Sequence, residues 1–276
     1  MSVWWQYVVP QHALSRLVMA ATRVRAGWFR KALTRTFLRL FAVDLAEAAQ
    51  PDPLAYPSFN AFFTRALRPG ARPVAAAPDE LASPVDGTLS ECGPINGQSL
   101  VQAKGQLYTL PDLLAAQAWA EAFAGGRFAT IYLAPYNYHR IHMPLAGELL
   151  ECVYVPGRLF SVNSATAHKV PRLFARNERV LTLWDSPAGR FALIMVGALN
   201  VGSIATVWAG DIAPRRPRAV TRLPAAAVSL QKGAEVGRFN MGSTVILLFE
   251  PGRVRFDATV CAGAALRYGQ RIGQLA

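Results

Sequence analysis

The sequence predicts an α+β fold that is mainly β: a barrel-like or sandwich antiparallel β domain with an N-terminal amphipathic helical segment. Three observations predict it. Apolar residues recur at helical spacing only near the start, a proline-rich stretch follows, and from residue 83 onward short β-branched runs alternate with turn residues. With 276 residues, 52% hydrophobic and only 17% charged, the chain has ample material for a core and does not read as disordered.

Residues 10–45 come first. Leu14, Leu17, Val18, Ala21, Val24 and Trp28 share one helical stripe, with Arg16, Arg23 and Arg30 opposite. A second helix sets Leu33, Phe37, Leu40 and Phe41 against Lys31, Arg35 and Arg39. Residues 1–43 carry seven Arg or Lys and no acidic residue. Basic amphipathic helices with Trp4, Trp5 and Trp28 nearby suit an anionic membrane interface; the alternative is that they pack on the domain and show a solvated basic face. Residues 50–84 are broken by seven prolines, leaving room only for a short helix near 58–66, and Phe59, Phe62 and Phe63 there need burial.

Beyond that connection, strands are expected at 87–91, 127–133, 147–155, 179–185, 190–196, 203–209, 245–250 and 254–257, with one helix at 110–122. Residues 191–210 run twenty positions without a charge, long enough to cross a bilayer. Their β-branched residues, interrupted by Gly197, Asn200 and Gly202, instead suit two buried strands joined by a bend. The expected division is 1–45 as attachment segment and 46–276 as β-rich domain.

A formal charge of +12 asks for an anionic partner: nucleic acid, an anionic bilayer or a phosphorylated substrate. The basic cluster lies on helices and not on a β surface interleaved with aromatics, so nucleic acid is not expected. Cys92, Cys152 and Cys261 are widely spaced and odd in number, which fits a reducing compartment. Residues 1–10 lack the basic and apolar pattern of a secretory signal.

Chemistry-bearing residues are few. Of four histidines, His139 and His142 lie together, and an imidazole is the natural base near neutral pH. Three apart, they cannot share one face of a strand; either each has its own task or one is structural. No Cys or His cluster supplies further ligands, so no metal is expected. Asp86 follows Pro84 and precedes Gly87, an ordinary turn unless a histidine lies beside it. Gly242-Ser243-Thr244, ahead of the apolar run 245–249, also reads as a turn by itself.

Taken together these segments resemble the bacterial phosphatidylserine decarboxylases. The matching stretches are Phe62-Phe63-Thr64-Arg65, Pro69-Gly70-Ala71-Arg72-Pro73, Ser83-Pro84-Val85-Asp86-Gly87, Tyr138-His139-Arg140-Ile141-His142-Met143-Pro144 and Gly157-Arg158-Leu159-Phe160-Ser161-Val162-Asn163. Leu173 to Val180, Lys232 to Phe239 and Met241-Gly242-Ser243-Thr244 follow in the family's order, so the resemblance spans about residues 55–255. The cleavage motif usually begins with leucine; Met241 is apolar and similar in volume.

The resemblance implies a precursor that cuts itself between Gly242 and Ser243 into chains 1–242 and 243–276, which stay associated. Ser243 would be the nucleophile, His142 its base and Asp86 the residue that orients and charges His142. Ser243 would end as an N-terminal pyruvoyl group, the electron sink for decarboxylating phosphatidylserine to phosphatidylethanolamine, with no metal and no external cofactor. His139 is the candidate for returning the α-carbon proton or handling the substrate carboxylate, with Tyr138 and Arg140 beside the site. The implied location is peripheral, on the cytoplasmic face of an inner (cell) membrane. A homodimer, another serine-headed lipid as substrate, and a non-catalytic lipid-binding β domain remain open.

Overall fold

The computed structural model describes residues 3–103, 105–199, 203–212 and 219–276. Helices Trp5–Val8, Gln11–Thr22 and Gly27–Leu40 form the expected N-terminal segment. Several of their large apolar residues face outward. The two longer helices bury Gln11, Ser15, Thr22 and Thr34, whereas Leu17, Trp28 and Leu40 are 67%, 78% and 70% exposed and Trp4 is 80% exposed. Two buried glutamines have specific partners on the body: Leu159 N donates to Gln11 Oε1 and Ser161 N to Gln6 Oε1, each at 2.8 Å. A second attachment is apolar. Leu33, Phe37 and Leu38 pack on Phe59, Phe62 and Phe63, which occupy the short helix Phe59–Phe63, capped where Ala61 N donates to Ser58 Oγ.

The body is mainly antiparallel β, as expected. Its long sheet runs in the order Thr221–Leu223, Gly147–Val155, Arg179–Ser186, Gly189–Val196, Thr244–Phe249, Arg127–Tyr132, Gly87–Pro94 and Ala265–Leu266, with Ser229–Leu230 also paired to Gly147–Val155. This sheet is open; among the described residues it does not close into a barrel. Thr244–Phe249 is buried throughout, because it is paired on both edges, with Thr244 opposite Tyr132 and Val196. A four-stranded sheet of Gly210–Ile212, Ile204–Thr206, Glu235–Phe239 and Arg140–His142 carries the histidine segment. Glu80–Ala82, Arg271–Leu275 and Val254–Phe256 make a third sheet, and Ser99–Ala103 pairs with Gln106–Thr109.

Two expectations need correction. The helix expected at 110–122 is instead Leu110–Leu113 followed by a 3-10 turn, Ala118–Phe123, with Ala115 and Ala116 in left-handed conformations between them. The apolar spacing was right, since Leu110, Leu113, Trp119 and Phe123 are buried. What stops the helix is buried Arg179, which donates to the Asp112 and Leu113 carbonyls that a continuing helix would use. The strand expected at 203–209 is only Ile204–Thr206, because the chain turns back to pair Gly210–Ile212 with it. Residues 191–210 hold buried strands on either side of a bend, as expected, and the two lie in different sheets; 200–202 of the bend lie outside the described residues. Among the described residues no helix is long and apolar enough to cross a membrane.

Candidate active site at Gly242 and Ser243

The start of the central strand determines where Ser243 sits. Leu133 N donates to the Ser243 carbonyl at 2.8 Å, which ties the residue down just before the Thr244–Phe249 ladder begins. Ser243 has no exposed surface, and its buried Oγ has no hydrogen-bond partner in the protein. Leaving a buried hydroxyl unsatisfied costs about 1–3 kcal/mol, so such an atom calls for an explanation. Gly242 has φ +21°, and a Cβ there would make only ordinary contacts, 3.6 Å from His139 Cε1 and 3.7 Å from the Leu133 carbonyl. Backbone conformation, rather than space, is what favours glycine. Phe63, Tyr132, Asn163, Met241, Gly242 and Ser243 help line a cavity of about 390 Å³ at this point.

His139 lies against this bond. Its ring stacks on Phe63 at 4.1 Å. Nε2 faces the Pro135 carbonyl at 3.3 Å; a carbonyl only accepts, so Nε2 carries the proton and Nδ1, which has no hydrogen-bond partner, keeps its lone pair. Burial, assisted by the nearby Arg65 charge, lowers the His139 pKa to about 3. The imidazole is therefore neutral at pH 7.

His142 and Asp86 belong to an adjoining cluster. His142 Nδ1 donates to the Gly233 carbonyl at 2.8 Å, which leaves Nε2 to accept from Tyr138 Oη at 2.9 Å. Its ring stacks on Tyr268 at 3.7 Å. Burial brings its pKa down to about 4, against opposing contributions from the Gly233 carbonyl, Glu235 and Asp86. Asp86 is gripped by the Arg72 guanidinium at both oxygens and accepts from Tyr268 N at 2.7 Å. Arg72 also donates twice to Glu47. Burial works against its charge, but hydrogen bonds to Asp86 and Glu47 prevail and raise its pKa above the usual arginine range.

Tyr268 thus links Asp86 to His142 through its backbone N–H and its ring. The structure brings these two into one cluster and brings His139 to Gly242-Ser243, but no hydrogen bond joins Asp86 to His142 or His142 to Ser243. Among the described residues no group of three His, Cys, Asp or Glu could hold a metal ion. Sequence reasoning gave no role to Arg72, although it lies inside a segment that carries the resemblance. Tyr268 sits in a turn that offered no signal.

Two expected outcomes arise here. Arg72→Met should destabilise the protein by about 3 kcal/mol or more, because buried Asp86 then loses its cation, whereas Glu47 keeps Arg267 at 3.1 Å. Chemical denaturation measures this; a loss under 1 kcal/mol would show that neither carboxylate depends on Arg72. The second concerns acid. Both histidines have folded pKa values below the unfolded value of about 6.5, so the unfolded chain binds protons that the folded one refuses. Their contribution to stability is complete above that pH and is lost as pH falls towards 4, by on the order of a few kcal/mol. Denaturation midpoints of the wild type and His142→Gln between pH 7 and 4 test this, since the variant should show a shallower fall.

A family model described as phosphatidylserine decarboxylase matches residues 59–274, and another, described as PSD, matches residues 1–42. A protein named phosphatidylserine decarboxylase proenzyme from Methylococcus capsulatus is 49% identical over 271 residues, covering 97% of this chain and 94% of its own. Proteins of the same name from Pseudomonas fluorescens and Pseudomonas putida are each 50% identical, covering 97% and 98% of this chain and 95% and 96% of theirs.

Proposed function

Because the chain belongs to the phosphatidylserine decarboxylase family and is a decarboxylase, we propose that it matures by cutting itself at Gly242–Ser243 and converts phosphatidylserine to phosphatidylethanolamine and CO2. The observation that carries the reading is the Ser243 hydroxyl: buried, uncommitted, and next to a glycine whose φ is positive.

In this reading a base removes the Ser243 proton and Oγ adds to the Gly242 carbonyl carbon. The Gly242–Ser243 C–N bond then breaks as the amine takes up a proton, leaving an ester. Elimination releases the Gly242 carboxylate and leaves a dehydroalanine at 243, whose hydrolysis expels ammonia. A pyruvoyl group at 243 would supply a carbonyl able to take up the electron pair freed by loss of CO2. The residues there fit such a group: position 243 borders a cavity, and its side chain holds no hydrogen bond that the change would break.

His142 is the proposed base of the cut, with Asp86 as the charge behind it. Its depressed pKa keeps it unprotonated at neutral pH, with a lone pair on Nε2. For this task Nε2 must exchange the Tyr138 hydroxyl for that of Ser243, so the cut requires local rearrangement. His139, already against Gly242 with Nδ1 uncommitted, is assigned the later proton transfer at the substrate α-carbon. The products would be a large chain, 1–242, and a small chain, 243–276. Thr244–Phe249 is hydrogen-bonded on both edges, so the pieces would stay together after the cut.

Residues 46–276 form the proposed catalytic unit and 1–45 the attachment to an anionic bilayer, on the cytoplasmic face of an inner membrane. The supporting observation is the set of large apolar residues of the helical segment, Trp4, Leu17, Trp28 and Leu40, turned outward. Because Phe37 packs edge-on against Phe59, Phe62 and Phe63, deleting the segment would disturb the body, and substitution is the cleaner test. Trp4→Ser with Trp28→Ser should weaken binding to phosphatidylglycerol-containing vesicles at least tenfold, roughly the loss of one large apolar side chain from the interface. Unchanged vesicle flotation would remove the attachment role.

Intact mass of the purified protein tests the central reading. Two chains split at 242/243, the smaller bearing a reactive keto group at its amino end, are expected. A single unbroken chain with a free serine would overturn it.

A further inference from the structure

A different cavity, of about 630 Å³, lies where the start of helix Gln11–Thr22 meets the loop at residues 156–158. Arg16 approaches from the helix, Arg158 from the loop and Arg176 from the short helix Leu173–Arg176, and no acidic residue lines the space. Among the described residues none of these three guanidiniums takes part in an ion pair, in a chain where Arg23, Arg72, Arg140, Arg190 and Arg271 do. Three like charges turned into one cavity repel each other unless an anion joins them.

The arrangement is held in place before any ligand arrives. Arg176 lies over the rings of Phe160 and Tyr7, at 4.9 and 5.5 Å. Attraction to the two ring faces holds the guanidinium at this wall of the cavity. His12 Nε2 donates to the Gly157 carbonyl at 2.9 Å, joining the two walls. The helix that opens onto the cavity has no acidic residue in its first turn, so its positive end adds to the potential. Three guanidiniums bordering one cavity suit a tetrahedral phosphate, whose several oxygens can each accept from a different arginine, better than a single carboxylate.

The geometry points to a phosphate-binding site formed by Arg16, Arg158 and Arg176, separate from the Ser243 cavity. No residue lines both cavities, but one loop serves the two: Gly157 and Arg158 border this one, and Ser161 and Asn163 border the other. The ligand class is a phosphate group, either the headgroup phosphate of an anionic phospholipid or free phosphate. This site is independent of the reaction proposed at Ser243.

The test uses the full chain, inorganic phosphate, and phosphatidylcholine vesicles with and without phosphatidylglycerol. Arg158 is exposed and outside the catalytic cluster, so Arg158→Glu tests the site; Arg35→Glu makes the same charge change elsewhere on the N-terminal segment. Saturable binding of inorganic phosphate, about tenfold weaker in Arg158→Glu and unaltered in Arg35→Glu, supports the site and shows that free phosphate suffices. If inorganic phosphate does not bind, but Arg158→Glu weakens binding to the phosphatidylglycerol vesicles about tenfold and Arg35→Glu about twofold or less, the site takes a lipid headgroup. Equal weakening by the two variants, with no phosphate binding, overturns the proposal: charge would then act diffusely. Should Arg158→Glu fail to fold, Arg16→Glu, also exposed, is read against the same outcomes.

Discussion

Ser243→Ala is expected to remain one chain of 276 residues and to lose decarboxylation to the uncatalysed background. Two losses coincide in that variant. Without Oγ no nucleophile faces the Gly242 carbonyl, and without the cut no carbonyl electron sink forms at position 243. The fold should not suffer. Ser243 Oγ has no hydrogen-bond partner, so its removal eliminates an unsatisfied buried group and should leave stability unchanged or raise it by about 1 kcal/mol. This combination separates the proposed role from a structural one: a structural serine would give an unstable variant whose residual folded fraction still worked. Denaturing electrophoresis, intact mass and a thermal melt supply the readouts. Two fragments from Ser243→Ala would end the assignment of the nucleophile.

The histidine pair should divide. His142→Ala is expected to stay uncut, because the proposed base of the first step is gone. His139→Ala is expected to cut yet decarboxylate about 100- to 10,000-fold more slowly, the range for removing a positioned acid–base group. The structure makes this division a demanding test. His139 is the imidazole nearest the bond to be cut, 3.6 Å from where a Gly242 Cβ would stand, whereas His142 is engaged by Tyr138 and Gly233. If His139→Ala remains whole and His142→Ala is processed, proximity rules and the two roles must be exchanged. Tyr138→Phe adds a further reading, since releasing Nε2 of His142 should leave the cut intact or speed it. Arrest of the cut in that variant would mean that the tyrosine hydroxyl itself carries the proton.

Much of the fold is legible in the residue pattern. Strand Gly147–Val155 matches its expected bounds, and 127–133, 179–185, 190–196 and 245–250 match within a residue or so, because each is a β-branched or aromatic run bounded by Gly, Pro or charge. The missed strands, such as Glu235–Phe239 and Arg271–Leu275, are short and mix charge with glycine; they are strands because a neighbour pairs with them. Periodicity placed a helix at 110–122, but it does not record that Arg179, more than sixty positions later, will claim two of its carbonyls.

By itself the sequence determined the composition of the fold, the Gly242-Ser243 step at the mouth of a buried strand, and the family. Each rests on local pattern or on an ordered set of short motifs, which the order of residues carries in full. Tertiary structure alone decided which groups meet. It gave Asp86 to Arg72 and Tyr268 instead of to His142, set His139 against Gly242, and turned Leu17 and Trp28 outward while Gln11 and Ser15 went in. The physical reason is that a buried charge or donor goes to whichever partner the packing presents, and spacing along a chain does not encode that partner.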